Sequence, residues 1–391
     1  NAGINAGMST SAALFGAGVG TIIYLLFTKF KRPVFLGSSF AFIGSMVSAF
    51  AGAVSVELGY VGIILGAVMA GLVYVILSIV VRVFGSSWVN KLMPAVVIGP
   101  TVAIIGLSLA GNAIGDFTTG PNVYIAVICG LVTLFVTMAC SVFGKKMLKM
   151  IPFIIGIAAG YVVATIFTLC GQQVIDFSKF NDMQWIPSFT FLTAFKGISE
   201  INGAYIGTIA VAYIPVAFVV FAEHIADHKN LSSIIEHDLL KDPGLDKTLL
   251  GDGIGSMCGA FFGGCPNTTY GESVGCVAIS GNASVVTILA TAFIAIAASF
   301  CAPFVTLLAT IPSCVMGGVC VALYGFIAVS GLKMIQDVDL NDNVNLFTVS
   351  VILIAGIGGL SVSFGAVTLT EVASALILGI ITHEVLSIKK K

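Results

Sequence analysis

Three carboxylates stand where an apolar chain has least use for them. Glu223 closes a run from Val211 to Ala222 that carries no charge. Asp227 follows four residues later, on the same face of a helix. Glu272 sits in a polar interruption, Pro266-Asn-Thr-Thr-Tyr-Gly-Glu272. An ionised side chain in a bilayer costs at least about 2.5–3.5 kcal/mol on insertion scales, so each needs a partner or a function. The chemistry open to them is to accept N–H donors from a ligand and to take up and release a proton. The competing reading of Glu223 and Glu272 is a hydrogen-bonding role between buried helices, and that of Asp227 is a place at the cytoplasmic interface.

His224 and His228 flank this pair. A metal centre needs three or four convergent ligands, and neither the histidines nor the nine cysteines have ligand spacing. His224 is therefore expected to be packed and hydrogen-bonded, and His228, opening the hydrophilic stretch 228–247, to be solvated. Asp252, Glu371 and His383 lie near span ends and are expected to snorkel to the interface. The cysteines read as small buried hydrophobes. There is no Ser-His-Asp arrangement, P-loop or dinucleotide fingerprint, so neither a cofactor nor transport driven by the chain's own ATP hydrolysis is expected.

The elements that must hold these groups are membrane helices. Of 391 residues, 58% are hydrophobic and 9% charged, and the mean hydropathy is +1.09. A soluble domain carries roughly a quarter charged residues, which excludes a water-soluble enzyme. With Lys+Arg 17 against Asp+Glu 18, no field gathers nucleic acid. Apolar runs long enough to span lie at about 10–27, 60–84, 91–110, 122–143, 151–171, 204–226, 284–308, 312–332, 345–360 and 366–386. Three shorter, interrupted ones lie at about 34–56, 249–262 and 266–281. Long unbroken runs exclude a transmembrane β-barrel. Threading alternately through these spans puts all but Lys179 and Lys196 of the 17 basic residues on one side. That side is the cytoplasm, and the C-terminus lies there.

The two halves echo each other. Pro94-Ala-Val-Val-Ile-Gly99 recurs as Pro312-Ser-Cys-Val-Met-Gly317, and Ser38-Ser39-Phe40 upstream of the first is matched by Thr268-Thr269-Tyr270 upstream of the second. Two matches in the same order suggest an internal repeat. Interrupted hydrophobic segments at corresponding places in two halves point to a transporter's midplane site. Phe40 and Tyr324 belong to these repeated stretches. By position alone they read as core or lipid-facing rings, and by their place in the repeat as flat walls of a site.

These same stretches, with Phe221-Ala-Glu-His-Ile225, Asp238-Leu-Leu-Lys-Asp-Pro-Gly-Leu245 and Leu36-Gly-Ser-Ser-Phe-Ala-Phe42, resemble the nucleobase–cation symporter-2 (nucleobase–ascorbate transporter) family, in its bacterial uracil permease branch. The resemblance covers essentially the whole chain. It implies an all-α polytopic membrane protein of two inverted repeats of seven segments, in a core and a gate domain, with short strands in two broken segments. Residues 1–110 would be the first core part, running into the first gate helix at about 91, and 91–200 the first gate part. Residues 201–308 would be the second core part and 309–391 the second gate part. The family's first helix precedes the part that matches here, so Asn1 to Thr10 reads as the external loop after it. Glu223 and Glu272 would bind substrate, with Phe40 and Tyr270 beside the base, Gly271 offering backbone contacts and Tyr324 closing the pocket. The family pattern can carry His where this chain has Asp227.

The resulting expectation is a proton-coupled uracil symporter of the bacterial inner membrane. Glu223 or Asp227 takes the proton, and a purine or xanthine permease of the same family is the alternative. Expected partners are uracil, protons, the lipid bilayer and a second copy of the chain, but no nucleic acid. A related anion exchanger would need a positive midplane site, and a membrane enzyme a nucleophile or metal cluster. A purely structural protein would leave Glu223 and Glu272 without a purpose.

Overall fold

A computed structural model describes residues 8–145, 147–364 and 367–388, the side chains of Asn90, Pro243, Glu272, Ile279, Ser363, Phe364, Val367 and Thr368 excepted. The chain opens with α1 (Thr10–Phe27), strand β1 (Leu36–Ser38), a 3-10 turn (Phe40–Phe42) and the half-length α2 (Ile43–Ala51). The long α3 (Val56–Phe84) follows, then α4 (Ser87–Leu92), α5 (Ala95–Ser108) and α6 (Ala110–Phe117). Next come α7 (Val123–Phe143), α8 (Met147–Met150), α9 (Pro152–Leu169) and α10 (Thr190–Gly197). The second half runs α11 (Gly203–Ile234), α12 (Leu245–Gly263), β2 (Asn267–Thr269) and α13 (Gly271–Ser280). It closes with α14 (Val285–Ser299), α15 (Ala302–Ala309), α16 (Ser313–Met334), α17 (Asn343–Ile357), strands β3 (Val362–Phe364) and β4 (Val367–Leu369), and α18 (Glu371–Ser387).

Local chemistry sets many of these boundaries. Ser9, Ser55, Asn122, Asn202, Asp342 and Thr370 each accept a backbone N–H from the first turn of the helix they precede, satisfying donors that have no partner within the helix. Pro94 and Pro312 stand in extended conformation just before α5 and α16, so the repeated Pro-to-Gly motif begins a helix both times. Among the described residues, seven helices are long and apolar enough to cross a bilayer.

Several expected spans differ from what forms. The run 284–308 is two helices, α14 and α15, bent by 85° at Phe300-Cys301. Pro303 stands in the first turn of α15, where its missing N–H needs no partner but could not continue the ladder of α14. The run at 345–360 makes only the 15 residues of α17. The run at 366–386 begins as a hairpin strand and becomes helical only at Glu371. The run at 91–110 starts after Pro94 and continues into α6, giving Ala95–Phe117. Hydropathy reports apolar length and is blind to where the backbone turns.

Two groups of helices pack among themselves. In one, α1 lies against α12 and α14, and α3 against α10, α11 and α12. In the other, α5 lies against α16, α17 and α18, and α7 against α9 and α16. Bare backbone lets α1 and α12 cross closely: a Cβ on Gly20 would come within 2.9 Å of both the Gly255 carbonyl oxygen and the Asn267 amide nitrogen, the small-residue approach that membrane helices use in place of a hydrophobic drive. Asn267 donates from Nδ2 to the Gly16 carbonyl at 3.0 Å and so pins β2 into that crossing.

Candidate functional site

The two polar interruptions, 230 residues apart in sequence, meet in space. β1 pairs antiparallel with β2 in the register Leu36↔Thr269, Gly37↔Thr268, Ser38↔Asn267. Three-residue strands leave few backbone groups to satisfy, and the ladder satisfies them where water cannot. The Ser39 amide adds a bond to the Pro266 carbonyl at 3.0 Å, and the Tyr270 amide one to the Phe35 carbonyl at 3.2 Å. The Tyr270 ring lies over Gly37, close enough that a Cβ there would come within 2.6 Å of it.

Phe40 leads out of β1, and its ring meets Tyr324 of α16 edge to face, centroids 5.2 Å apart and planes at 80°. This contact joins the two helix groups. Phe42 stacks on Tyr213 of α11 at 5.6 Å, and Ser45 donates to the Ala212 carbonyl at 2.6 Å. Those bonds hold α2 against α11 beside Pro215, which has no N–H for the helical ladder.

Beyond Pro215, α11 carries Glu223 and Asp227, both half-buried. Asp227 faces the start of α13: a Cβ built on Gly271 would lie 3.3 Å from its Oδ1. A carboxylate at a helix N-terminus meets backbone N–H groups and the positive end of the dipole. Glu272 is the second residue of α13, and its side chain lies outside the described residues. Phe40, Tyr270, Gly271, Asp227 and Glu223 thus come from α11 and the elements beside it, and Tyr324 of α16 joins them through Phe40. Asp227 lies against α13 rather than at a loop.

About 100° further round α11 is a buried network that the sequence reading missed. His224 Nδ1 is 2.7 Å from Asp252 Oδ2, and its Nε2 is 3.0 Å from the Thr248 hydroxyl. His228 Nδ1 is 2.8 Å from the His224 carbonyl and its Nε2 2.7 Å from the Tyr24 hydroxyl. The carbonyl can only accept, so His228 carries its hydrogen on Nδ1 and Tyr24 donates to Nε2. The expected packing of His224 is found. His228 was expected in solvent and is 1% exposed; Asp252 was expected to snorkel and is also 1% exposed. Both misplacements have one cause: each residue adjoins a hydrophilic segment, but α1 folds over one and α3 over the other. The i, i+4 spacing of the histidines was the available signal. Of the cysteines, Cys129 and Cys314 are buried as expected, whereas Cys170, Cys276 and Cys301 are exposed.

Two cavities lie near these elements. One, of ≈ 10 Å³, is lined by Tyr74, Asp252, Ser256, Thr268 and Phe42 among others. The other, of ≈ 110 Å³, lies among Ser86, Val89, Ile225, Asp238 and Lys241, away from the convergent rings and carboxylates. Among the described residues, no three His, Cys, Asp or Glu side chains gather as a metal site would require.

A family model described as "Permease family" matches residues 4–364. A uracil permease of Bacillus caldolyticus is 38% identical over 386 residues, spanning 97% of this chain and 86% of that protein. A uracil permease of Escherichia coli (strain K12) is 34% identical over 381 residues, spanning 95% and 84%. Among solved structures, the transmembrane domain of a cyanobacterial bicarbonate transporter, BicA, superposes with a TM-score of 0.66 at 15% identity, covering 97% of this chain and 91% of that one. The murine Slc26a9 anion transporter superposes with a TM-score of 0.70 at 12% identity, covering 99% and 65%. Likeness at such low identity speaks for the fold alone.

Proposed function

The chain belongs to the Permease family, and from that premise we propose that it imports uracil with protons across the bacterial cytoplasmic membrane by alternating access. It is a multi-pass membrane transport protein rather than an enzyme. The observation that carries the reading is the meeting of two broken segments, β1 and β2, beside the half-buried carboxylates of α11. Discontinuous segments expose backbone groups at the membrane midplane, where a transporter needs them. Relatives that carry the name uracil permease supply the substrate.

Uracil is a neutral, flat ring with two N–H donors and two carbonyl acceptors. Glu223 and Glu272 accept its N–H groups, while backbone N–H groups at the start of α13, Gly271 among them, donate to its carbonyls. Phe40 and Tyr270 flank the ring and Tyr324 closes over it, excluding water. Glu223 or Asp227 takes a proton outside and releases it inside, because burial favours the neutral carboxyl and hydration the charged one. Access alternates as the group built on α1, α3, α11 and α12 rocks against the group built on α5, α7 and α16. In that assignment the first group is the core domain and the second the gate, and the C-terminus faces the cytoplasm, where positive charge gathers.

The test is labelled uracil uptake by the full-length protein in permease-deficient cells, with and without a protonophore. Accumulation that collapses with the protonophore and resists excess xanthine is expected. Competition by xanthine moves the substrate to the purines. No uptake despite correct insertion overturns the uracil reading.

A further inference from the structure

The buried network behind the carboxylates has two hydrogen-bonding solutions with the same heavy-atom positions. Thr248 Oγ1 is 3.0 Å from His224 Nε2 and 3.1 Å from the Leu245 carbonyl, and a hydroxyl has one hydrogen to give. If it donates to Nε2, the imidazole is neutral, with its hydrogen on Nδ1 pointing at Asp252 Oδ2, and the pair carries one negative charge. If it donates to Leu245, Nε2 must carry a hydrogen of its own. The pair then holds one proton more and has no net charge. We propose that His224 and Asp252 hold an exchangeable proton of the transport cycle, apart from the substrate-facing carboxylates. The inference rests on the transport reading above.

Loading forms one N–H bond at Nε2 and swings the Thr248 hydroxyl from Nε2 to Leu245; release breaks that bond and returns the proton to water. The surroundings suit such a switch. Among the described residues, the titratable groups turned toward the pair include Tyr24 from α1, through His228, Tyr74 from α3 and His228 from α11, and the Thr269 amide of β2 lies beside Asp252. Tyr74 also lies within electrostatic reach of Glu223 and Asp227, and Arg32 within that of Tyr24. Among the described residues, no lysine or arginine comes within ion-pair distance of Asp252. The negative state is therefore the costly one in a low dielectric.

Room for a water beside the pair exists as well. Asp252 Oδ1 and Tyr74 Oη are buried without a hydrogen bond of good geometry, and both residues line the ≈ 10 Å³ cavity, room for about one water. The same cavity touches Phe42 and Thr268, next to the strands that carry Phe40 and Tyr270. Neutralising the pair removes a buried charge from the contact between α11 and α12, which lets these helices reorient with a neutral substrate aboard.

Asp252→Asn freezes the site near its uncharged form without changing its shape. In proteoliposomes, the variant is expected to keep exchange of labelled uracil against unlabelled uracil, and to show less uracil-evoked proton uptake and a lower accumulation ratio than the wild type at the same pH gradient. Intact pH-driven accumulation in Asp252→Asn overturns the proposal. Should that variant fail to fold, infrared difference spectra of the wild-type protein with isotopically labelled histidine decide instead. Ring bands that change over the pH range where uptake changes support the switch, and unchanged bands overturn it. Absence of wild-type uracil exchange sinks the permease reading and is told apart from failure of the switch alone.

Discussion

Glu223, Asp227 and the two histidines lie within two turns of α11, yet the helix sends them to different tasks. The carboxylates are half-buried on a helix that packs against β2 and α13, with Asp227 at the start of α13, whereas His224 and His228 are enclosed by α1, α3 and α12. Replacing Glu223 or Glu272 by Gln is expected to weaken uracil binding roughly 10- to 100-fold, the weight of a hydrogen bond to a charged group. Calorimetric titration of purified protein checks this, and unchanged affinity for Glu272→Gln removes that residue from the site. Tyr24→Phe leaves His228 Nε2 buried without a donor, which costs about 1–3 kcal/mol and should lower the unfolding temperature in detergent without altering substrate selectivity. The identities of the carboxylates were legible in the sequence, because a charge inside an apolar run stands out. The partner of His224 was not, since Thr248 and Asp252 belong to another helix beyond a polar loop.

At the scale of elements, the strand pair β1–β2 is the part most sensitive to a single atom. Gly37→Ala places a methyl group within 2.6 Å of the Tyr270 ring, so the ring or the strand must shift. Overpacking of this kind costs typically about 1–3 kcal/mol. The expected outcome is a raised KM for uracil in a protein that still reaches the membrane; uptake kinetics normalised to surface abundance measure it. Both interruptions were visible as polar breaks in apolar sequence, and so were the helix starts after Pro94 and Pro312. The 85° bend between α14 and α15 and the β3–β4 hairpin were not, because apolar content is the same whether the chain runs straight or turns.

For the whole molecule, the distribution of basic residues makes a directional claim. The segment between α9 and α11 holds Lys179 and Lys196 and lies outside on this reading, as does Cys170, which is exposed. A membrane-impermeant maleimide should label Cys170 in right-side-out vesicles, and Cys170→Ser should abolish that labelling. On the opposite side, Asp242 joins the chain before α12 to the chain after α1, with Lys31 and Arg32 each 3.5 Å away and His237 at 3.4 Å. Slight desolvation pushes its carboxyl up, but Lys31 and Arg32 outweigh this and hold it below the ordinary value. A depressed carboxylate contributes stability that is present above its unfolded pKa, about 3.9, and is lost as pH falls through the lower folded value. Asp242→Asn should therefore flatten the acid limb of the unfolding temperature against pH, and high salt should do the same in the wild type.

The sequence by itself determined that this chain lives in a bilayer, that helices begin after Pro94 and Pro312, and which carboxylates stand out from apolar runs. Those properties are local: burial in lipid is decided by side-chain chemistry averaged over a span, and a cap or a proline acts within one turn. Only the tertiary structure decided that Leu36 faces Thr269, that Phe40 reaches Tyr324, and that Asp252 is a buried partner of His224 rather than an interfacial residue. Each of these depends on which helix lies against which. That choice is settled by close approach at bare backbone, as where α1 crosses α12 at Gly20 and Gly255, and by the need to satisfy every polar group that water cannot reach.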